Sequence, residues 1–413
     1  MKSSRILIVG GGFGGVYALK ALHRIFHKNK NVEISLLSEK NYFLFTPLLH
    51  EVATGGLNPA NIIEPIKKIF GCCLGSFYTG YAEKVNLTEK TVSTGGTEIK
   101  YDYLVLAPGA ETNFYGTAGA EENCFTLKSL EDAVKLKNHC IDIANEASFL
   151  GKEERKKKLC FAIIGGGPTG VELSAEMLEF FKGTFSRYYK KEIIDDVSVV
   201  LIQRGKEILP QFEKKLRERS LKILKKEGVQ VLLEKSVERV EKGRIILSGS
   251  DELMTETPVW VAGVKPSDIL FSENIDREPD GRVKVNQFLQ IEKYPFAYIL
   301  GDLAGIRQEN GALFPMLAQV ATKEAKIAAK NIRSQIEGAD KLEKFDYKLA
   351  GSLVSLGKWN AAGEVFFFYL SGFIAWFVWR TIYLSKLISW QKKVKVALDW
   401  TVNFMSARDI SRL

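Results

Sequence analysis

Short apolar runs rich in Ile, Val and Leu alternate along the chain with stretches whose apolar residues recur every three or four positions. That is the pattern of buried parallel strands joined by amphipathic helices. Arg5–Val9 predicts a strand, the spacing of Val16, Leu19, Leu22 and Phe26 predicts a helix over Gly15–Phe26, and Val32–Leu37 predicts a second strand. Lys100–Gly109 reads as a further strand running into a Pro-Gly turn. The pattern then starts again: Phe161–Ile164, a helix from Gly170 to about Phe181, the strand Val197–Ile202, a polar helix over Glu213–Gly228, Val229–Leu233 and a hairpin-like Val240–Leu247. Ala297–Leu300 predicts a strand that delivers Gly301-Asp302 at its C-terminal end, followed by an Ala- and Lys-rich helix over Pro315–Ile336. The fold class expected is α/β, with two domains of like strand–helix pattern and a C-terminal segment. The first domain comprises residues 1–118 and 285–345, the second is inserted between them as 119–284, and the C-terminal segment is 346–413.

The last sixty residues change character. Val365–Trp379 is fifteen residues without a charge, short of the roughly 20 that span a bilayer as a helix. Beyond it, Leu387, Trp390, Val394, Leu398 and Phe404 or Met405 recur at helical spacing, with Lys386, Lys392, Lys393 and Asp399 largely elsewhere. Trp, Phe and Leu on one side and Lys on another suit a helix lying in a membrane interface. A dimer interface and a packed C-terminal helix are the other readings.

Composition narrows the classes. At 413 residues, 46% hydrophobic and 26% charged, the chain is globular and long enough for two or three domains. The net charge of +9 allows nucleic acid or anionic lipid, but no basic run interleaved with aromatics accompanies it, which favours a lipid surface over nucleic acid. Cys72, Cys73, Cys124, Cys140 and Cys160 are odd in number and form no CxxC, which argues against disulfides and metal. A glycine loop that begins at residue 10 leaves no room for a signal peptide. A cytoplasmic, reducing compartment is expected.

The chemistry lies in two glycine-rich loops about 155 residues apart, Gly10-Gly-Gly12-Phe13-Gly14-Gly15 and Gly165-Gly-Gly167-Pro168-Thr169-Gly170, each behind a β-branched run. In strand–GxGxxG–helix the first Gly makes the tight turn, the second lets backbone approach a pyrophosphate, and the third lets helix pack on sheet. The phosphates then sit on unpaired N–H groups at a helix N-terminus. Two such units make two Rossmann-like dinucleotide-binding domains and suggest two dinucleotides, as when a nicotinamide reduces a flavin. Glu39 falls at the tip of the second strand, where a carboxylate holds ribose hydroxyls; a plain surface acid is the alternative. After Val199–Ile202 the usual acid is absent and Gln203-Arg204 stands in its place. Gln removes the repulsion of a 2′-phosphate and Arg204 attracts it, so NADPH is expected to serve as well as NADH. An Arg204 pointing into solvent is the other reading.

The details go further. Asn41-Tyr-Phe-Leu-Phe-Thr-Pro47-Leu-Leu-His50-Glu-Val-Ala-Thr-Gly55, Gly165–Glu172, Gly301-Asp302, Ala318-Gln319-Val320-Ala321 and Leu370-Ser-Gly-Phe-Ile-Ala-Trp376 with Trp379-Arg380 resemble the type II NADH:quinone oxidoreductases, single-subunit, non-pumping FAD enzymes of the respiratory chain. The resemblance covers nearly the full length. It implies FAD on the first unit, held by Gly10, Gly12, Phe13, Gly14, Gly15, Glu39, Lys40, Thr46, Ala82, Gly109, Gly301, Asp302, Ala318 and Gln319. It implies NADH or NADPH on the second, held by Gly165, Gly167, Pro168, Thr169, Gly170, Glu172, Gln203 and Arg204. Asp302 would bond the ribityl chain, its alternative being a turn cap. Ala318 and Gln319 would begin a helix whose dipole favours a reduced, anionic flavin. Gln319 would also meet quinone. Where the family usually has a second Gln, this chain has Lys323, either a quinone contact or a solvated side chain. Glu172 is implied at the nicotinamide or quinone site and in proton delivery, with a raised pKa if buried; a purely structural carboxylate at a helix start is the alternative. The resemblance further implies a membrane quinone (ubiquinone or menaquinone) as acceptor, a peripheral position on the cytoplasmic face of the cell (inner) membrane, and a homodimer.

Two rivals share the fold. A sulfide:quinone oxidoreductase needs a cysteine pair at the flavin, and Cys160 begins a strand while Cys72 and Cys73 are adjacent. Disulfide reductases need CxxxxC, and residues 41–55 contain no Cys.

Overall fold

The apolar run behind the first glycine loop takes the middle of a six-stranded sheet. In the computed structural model, which describes residues 3–70, 75–339, 341–348, 351–365 and 368–412, the strand Ser4–Val9 pairs in parallel with Val32–Ser38 and with Tyr103–Leu106. Ser76–Thr79 extends one side and Tyr294–Ile299 the other, both parallel, with Gln290–Ile291 antiparallel at the edge. The centre strands are largely apolar because both faces are covered: Leu7, Val9, Leu104 and Leu106 pack on Val85, Val92 and Ile99 of the antiparallel strands Lys84–Asn86, Thr91–Thr94 and Thr97–Lys100, and helices cover the other face. The helix Phe13–Phe26 buries Val16, Ala18, Leu19, Leu22 and Phe26, and it packs on the helix Ala318–Ile336, whose Ala325, Ala328 and Ala329 allow close approach. These elements belong to one compact unit, residues 1–44, 63–111 and 264–349. Cys72 and Cys73 lie outside the described residues.

A second compact unit comprises residues 45–62, 112–263 and 350–413. Its parallel sheet runs in the order Gln230–Leu233, Ser198–Gln203, Cys160–Ile164, Thr257–Trp260. The helix Pro168–Glu179 follows the second glycine loop, then widens into a π turn at Phe180–Thr184 rather than continuing regularly to Phe181. Phe180, Phe181 and Phe185 bury their rings there, and that packing sets the wider turn. The hairpin is longer than expected, Val237–Glu241 against Arg244–Leu247. A helix absent from the pattern-based reading, Leu130–Ala147, starts at a capping box in which Ser129 and Asp132 satisfy each other's backbone N–H.

The two units divide the chain differently from the four segments expected: residues 45–62 and 350–413 fold with 112–263. The apolar run at 365–379 is also not one helix. Phe368–Gly372 is a strand on Ala361–Val365, which pairs in turn with Gly351–Ser355. Gly372, at φ +73°, breaks it from the helix Phe373–Lys386. A second helix, Trp390–Met405, starts at Ser389, whose hydroxyl accepts from Lys392 N–H at 3.3 Å. No helix among the described residues is long and apolar enough to cross a membrane.

Candidate functional site: two phosphate cradles and a buried acid cluster

In the first unit, the chain turns out of Ser4–Val9 at Gly10, where φ is +108° and a side chain would strike the Ala107 carbonyl. Gly15 lies on Gly10 so closely that a Cβ would collide with its carbonyl oxygen, which fixes the helix against the strand. A Cβ at Gly12 would meet nothing within 4 Å, and Gly12 is the N-cap of Phe13–Phe26 with no side chain capping it. A turn with free space and uncapped helical N–H groups is the cradle a pyrophosphate requires. Glu39 and Lys40 are exposed just past Val32–Ser38. Ala82 packs partly buried beside the sheet's core, and Gly109 turns the chain at φ +86° after Tyr103–Leu106.

Gly301, at φ +67°, and the half-buried Asp302 follow Tyr294–Ile299 in a tight turn. Beneath them lies an acid that the sequence reading missed. Glu324, one per cent exposed, accepts from Gly301 N–H, and burial raises its pKa to about 8, the bond from Gly301 opposing. Its signal is a lone carboxylate on the Ala-lined face of Ala318–Ile336. No side chain caps that helix at Leu317, so Ala318 and Gln319 stand at an open N-terminus. Tyr347 Oη donates to Gln319 Oε1 at 3.3 Å, and Lys323 lies with Nζ 5.5 Å from the centre of the same ring. Tyr347, also missed, thus ties together the two expected quinone contacts. Thr46 is the one expected FAD residue outside this unit; it opens the turn Thr46–Leu48 in the other.

In the second unit the same geometry recurs. Gly165 turns at φ +119° with Ala262 against it, Gly170 abuts the Gly165 carbonyl, and Gly167 faces open space as an uncapped N-cap. Pro168 occupies the first helical position, where its missing N–H costs nothing. Thr169 is exposed. The Gln203 carboxamide does more than replace an acid: its oxygen accepts from Gly166 N–H at 2.9 Å, bracing the loop. Arg204 is exposed beside it.

Glu172 lies on the buried face of that helix, and what surrounds it was only partly legible. Its Oε1 accepts from Ser355 N–H at 3.0 Å, and its Oε2 is 3.7 Å from His50 Nδ1. Burial raises its pKa to about 8, with Ser355 and Trp379 opposing, so it holds a proton at neutral pH. Burial lowers His50 to about 4, so the ring is neutral. Glu176 and Glu179 follow at one and two turns. Burial also pushes Glu176 up, but Arg408, His50 and Arg380 outweigh it and the net shift is downward. Arg408 Nη2 reaches Glu176 at 2.8 Å and Glu179 at 2.9 Å. Glu51 accepts from the Trp400 indole at 2.6 Å, and burial raises its pKa. The sequence does carry one signal here: carboxylates at 172, 176 and 179 share a helix face, which needs partners from elsewhere once that face is buried.

The three described thiols do not form a redox pair. Cys140 is buried with Sγ 3.6 Å from Met177 Sδ, and burial raises Cys124 to about 12 and raises Cys140 and Cys160 as well. Thiols held protonated are poor nucleophiles, which disfavours the sulfide-oxidising alternative.

The outer side of the C-terminal helices exposes Phe373, Ile374, Phe377, Trp390, Val394, Leu398 and Met405. Leu387, expected among them, is buried, because it lies in the bend between the helices. Phe404 stacks on Trp359 at 4.9 Å, and Arg380 sits 4.4 Å from the ring centres of both Trp376 and Trp400.

The chain is similar to proteins already known. Residues 4–325 match the family described as pyridine nucleotide-disulphide oxidoreductase, and residues 349–409 match the NDH2 C-terminal domain. A type II NADH:quinone oxidoreductase of Mycobacterium tuberculosis is 30% identical, covering 98% of this chain and 89% of its own. The internal alternative NAD(P)H-ubiquinone oxidoreductase A1 (mitochondrial) of Arabidopsis thaliana is also 30% identical, over 99% of this chain and 86% of its own. The structure of NDH2 from Plasmodium falciparum in complex with NADH superimposes with a TM-score of 0.93 at 22% identity, covering 99% of this chain and all of that one, a likeness of fold.

Proposed function

Since the chain belongs to the pyridine nucleotide-disulphide oxidoreductases, among the type II NADH:quinone oxidoreductases, we propose that it passes two electrons from NAD(P)H through FAD to a membrane quinone without pumping protons. The duplicated phosphate cradle carries this reading, because two dinucleotides in one chain are what nicotinamide-to-flavin transfer needs. FAD supplies the redox chemistry, accepting two electrons from nicotinamide and releasing them to quinone. The first cradle, with Glu39, Asp302 and the open helix start at Ala318, holds it. The second cradle holds the nicotinamide dinucleotide.

Gln319 and Lys323, tied by Tyr347, offer a carboxamide and an ammonium to a quinone carbonyl. Glu172, kept protonated by burial, supplies a proton that quinone reduction consumes. Gln203 braces the loop without a negative charge, so a 2′-phosphate meets Arg204 unopposed and NADPH is a substrate beside NADH. The exposed apolar row on the C-terminal helices binds the surface of a lipid bilayer, on the cytoplasmic face. Homodimerisation, implied by the family resemblance, is the competing use of this row. Sedimentation with and without vesicles separates the two, since a lipid-only face leaves a monomer in their absence.

The test is anaerobic mixing of the yellow holoprotein with NADH or NADPH, followed by a short-chain quinone. Bleaching by a nicotinamide and recovery with quinone are expected. Bleaching without recovery discards the quinone acceptor. A thousandfold preference for NADH discards the role of Gln203-Arg204.

A further inference from the structure

His50 lies beside the Glu172 carboxyl, and no role has yet been given to it. Both side chains are nearly sealed, 3% and 8% exposed, with Nδ1 and Oε2 3.7 Å apart. Its other nitrogen, Nε2, is buried without a hydrogen-bond partner among the described residues. With no acceptor at Nε2, the ring's single proton belongs on Nδ1, toward Glu172. It sits in the short helix Leu49–Ala53, which packs on Pro168–Glu179. Charged and titratable groups face this pair from every side: Glu176 from the acid's own helix, Glu51 from the ring's helix, Arg380 and Tyr383 from Phe373–Lys386, and Arg408 from the tail. The strand Gly351–Ser355 adds an uncharged donor, Ser355 N–H. Neither guanidinium is paired with Glu172, however: Arg408 holds Glu176 and Glu179, and Arg380, whose Nε and Nη1 are buried without hydrogen-bond partners among the described residues, lies against the Trp376 and Trp400 rings. A negative charge on Glu172 thus depends on close donors rather than on an ion pair.

We propose that His50 is a positioning residue for proton delivery, donating from Nδ1 to the Glu172 carboxylate left when its proton goes to quinone. The inference rests on the reading of Glu172 as proton source. The balance is simple: NAD(P)H, one proton and quinone give NAD(P)⁺ and quinol. The electron pair comes from NAD(P)H by way of FAD. The Glu172 O–H bond breaks, a quinol O–H bond forms, and a solvent proton later restores the carboxyl. Before the transfer the ring, its single proton on Nδ1, donates to the carbonyl oxygen of the protonated carboxyl. Afterwards the same Nδ1–H meets the full charge of the carboxylate, alongside Ser355 N–H. The 3.7 Å separation tightens when the charge forms, as catalytic contacts commonly do. A neutral ring that keeps its proton on Nδ1 serves both states without a buried cation, which a Lys or Arg cannot do.

The test uses FAD-loaded protein and rapid mixing across pH 5 to 9, following flavin bleaching by NADH and recovery with a short-chain quinone separately. His50→Leu is expected to slow the quinone half-reaction about tenfold or more and to leave the NADH half-reaction within about twofold. It should also move the alkaline limb of the quinone half-reaction upward by about one pH unit, because the lost donor favoured the carboxylate. His50→Asn, whose amide N–H substitutes for Nδ1–H, should recover part of both; it also carries the test if the Leu variant does not fold. An unchanged quinone half-reaction with an unmoved limb in the variants overturns the proposal. So does equal loss in both half-reactions with an unmoved limb, the mark of a merely structural ring. Glu172→Gln run in parallel separates the two readings. If it leaves quinone reduction intact, the proton role of Glu172 itself fails. If it slows quinone reduction while His50→Leu does not, only the role of His50 fails.

Discussion

Replacing Glu172 by Gln should stabilise the protein by an amount that grows with pH. The folded carboxyl titrates near 8 rather than 4.5 because it is buried, so the native state keeps a proton that the unfolded chain gives up. For an acid raised in this way, stability is intact below the unfolded pKa and is lost as pH rises toward the folded one. Each unit corresponds to about 1.4 kcal/mol. The span from 4.5 to 8 amounts to about 5 kcal/mol at pH 8 and above, about 3 kcal/mol at pH 7, and nothing below about pH 4.5. Gln has no proton to lose, and its carbonyl still accepts from Ser355 N–H. The lowered pKa of Glu176 acts in the opposite direction, but it is common to both proteins and largely cancels in the difference.

The assay is the gap in melting temperature between Glu172→Gln and wild type, both FAD-loaded, measured from pH 5 to 8. One kcal/mol is worth about 2–4 °C in chains of 150–250 residues and less in longer ones. The gap should therefore widen by several degrees over that range. A gap that stays constant with pH, or one that narrows as pH rises, would refute the claim that this carboxyl is held protonated by its surroundings.

Gly15→Ala places a methyl on the Gly10 carbonyl and should yield protein with little bound flavin, read from the visible-to-ultraviolet absorbance ratio. Gln203→Glu should lower kcat/KM for NADPH relative to NADH by about tenfold or more, since a carboxylate repels a 2′-phosphate; an unchanged ratio places adenosine selectivity elsewhere. Arg408→Met strips the shared counter-charge from Glu176 and Glu179 and should cost about 3–5 kcal/mol; adding Glu176→Gln should return much of it, as denaturant midpoints will show. Trp390→Ser with Leu398→Ser, both residues exposed on the outer helix face, should weaken co-sedimentation with anionic vesicles about tenfold or more, and equal binding would remove that face from the lipid contact.

The parts of this molecule that were legible in its sequence are those where local chemistry and fold demand the same residue. Gly10 and Gly165 adopt positive φ, Gly15 and Gly170 lie against a carbonyl, and no other residue type fits; spacing alone therefore located both glycine turns and the strands before them. Strand interiors were equally plain, because burial on both faces leaves only apolar residues. The boundary at Gly372 was missed because an uncharged run reads the same whether it is strand, helix or both. What decides it is a backbone angle and the pairing of Phe368–Gly372 with Ala361–Val365.

The acid cluster was hidden for a different reason. Glu172 was visible beside its loop, but the groups that meet its carboxyl come from residues 50, 51, 355 and 379, scattered over more than 300 positions, and nothing local announces that His50 or Glu51 is buried. One constraint does reach back into the sequence. Carboxylates at 172, 176 and 179 on a single helix face leave only two outcomes, a solvated face or a buried one with cations and protons supplied from elsewhere. The apolar Val171, Leu173, Met177 and Leu178 around them exclude the first. The chain must then bring basic groups to that face, and its C-terminal tail does so with Arg408. The same segment that carries the exposed apolar row thereby fixes the charge of the helix behind the second cradle, so a substitution in the tail reaches the chemistry of Glu172 without touching it.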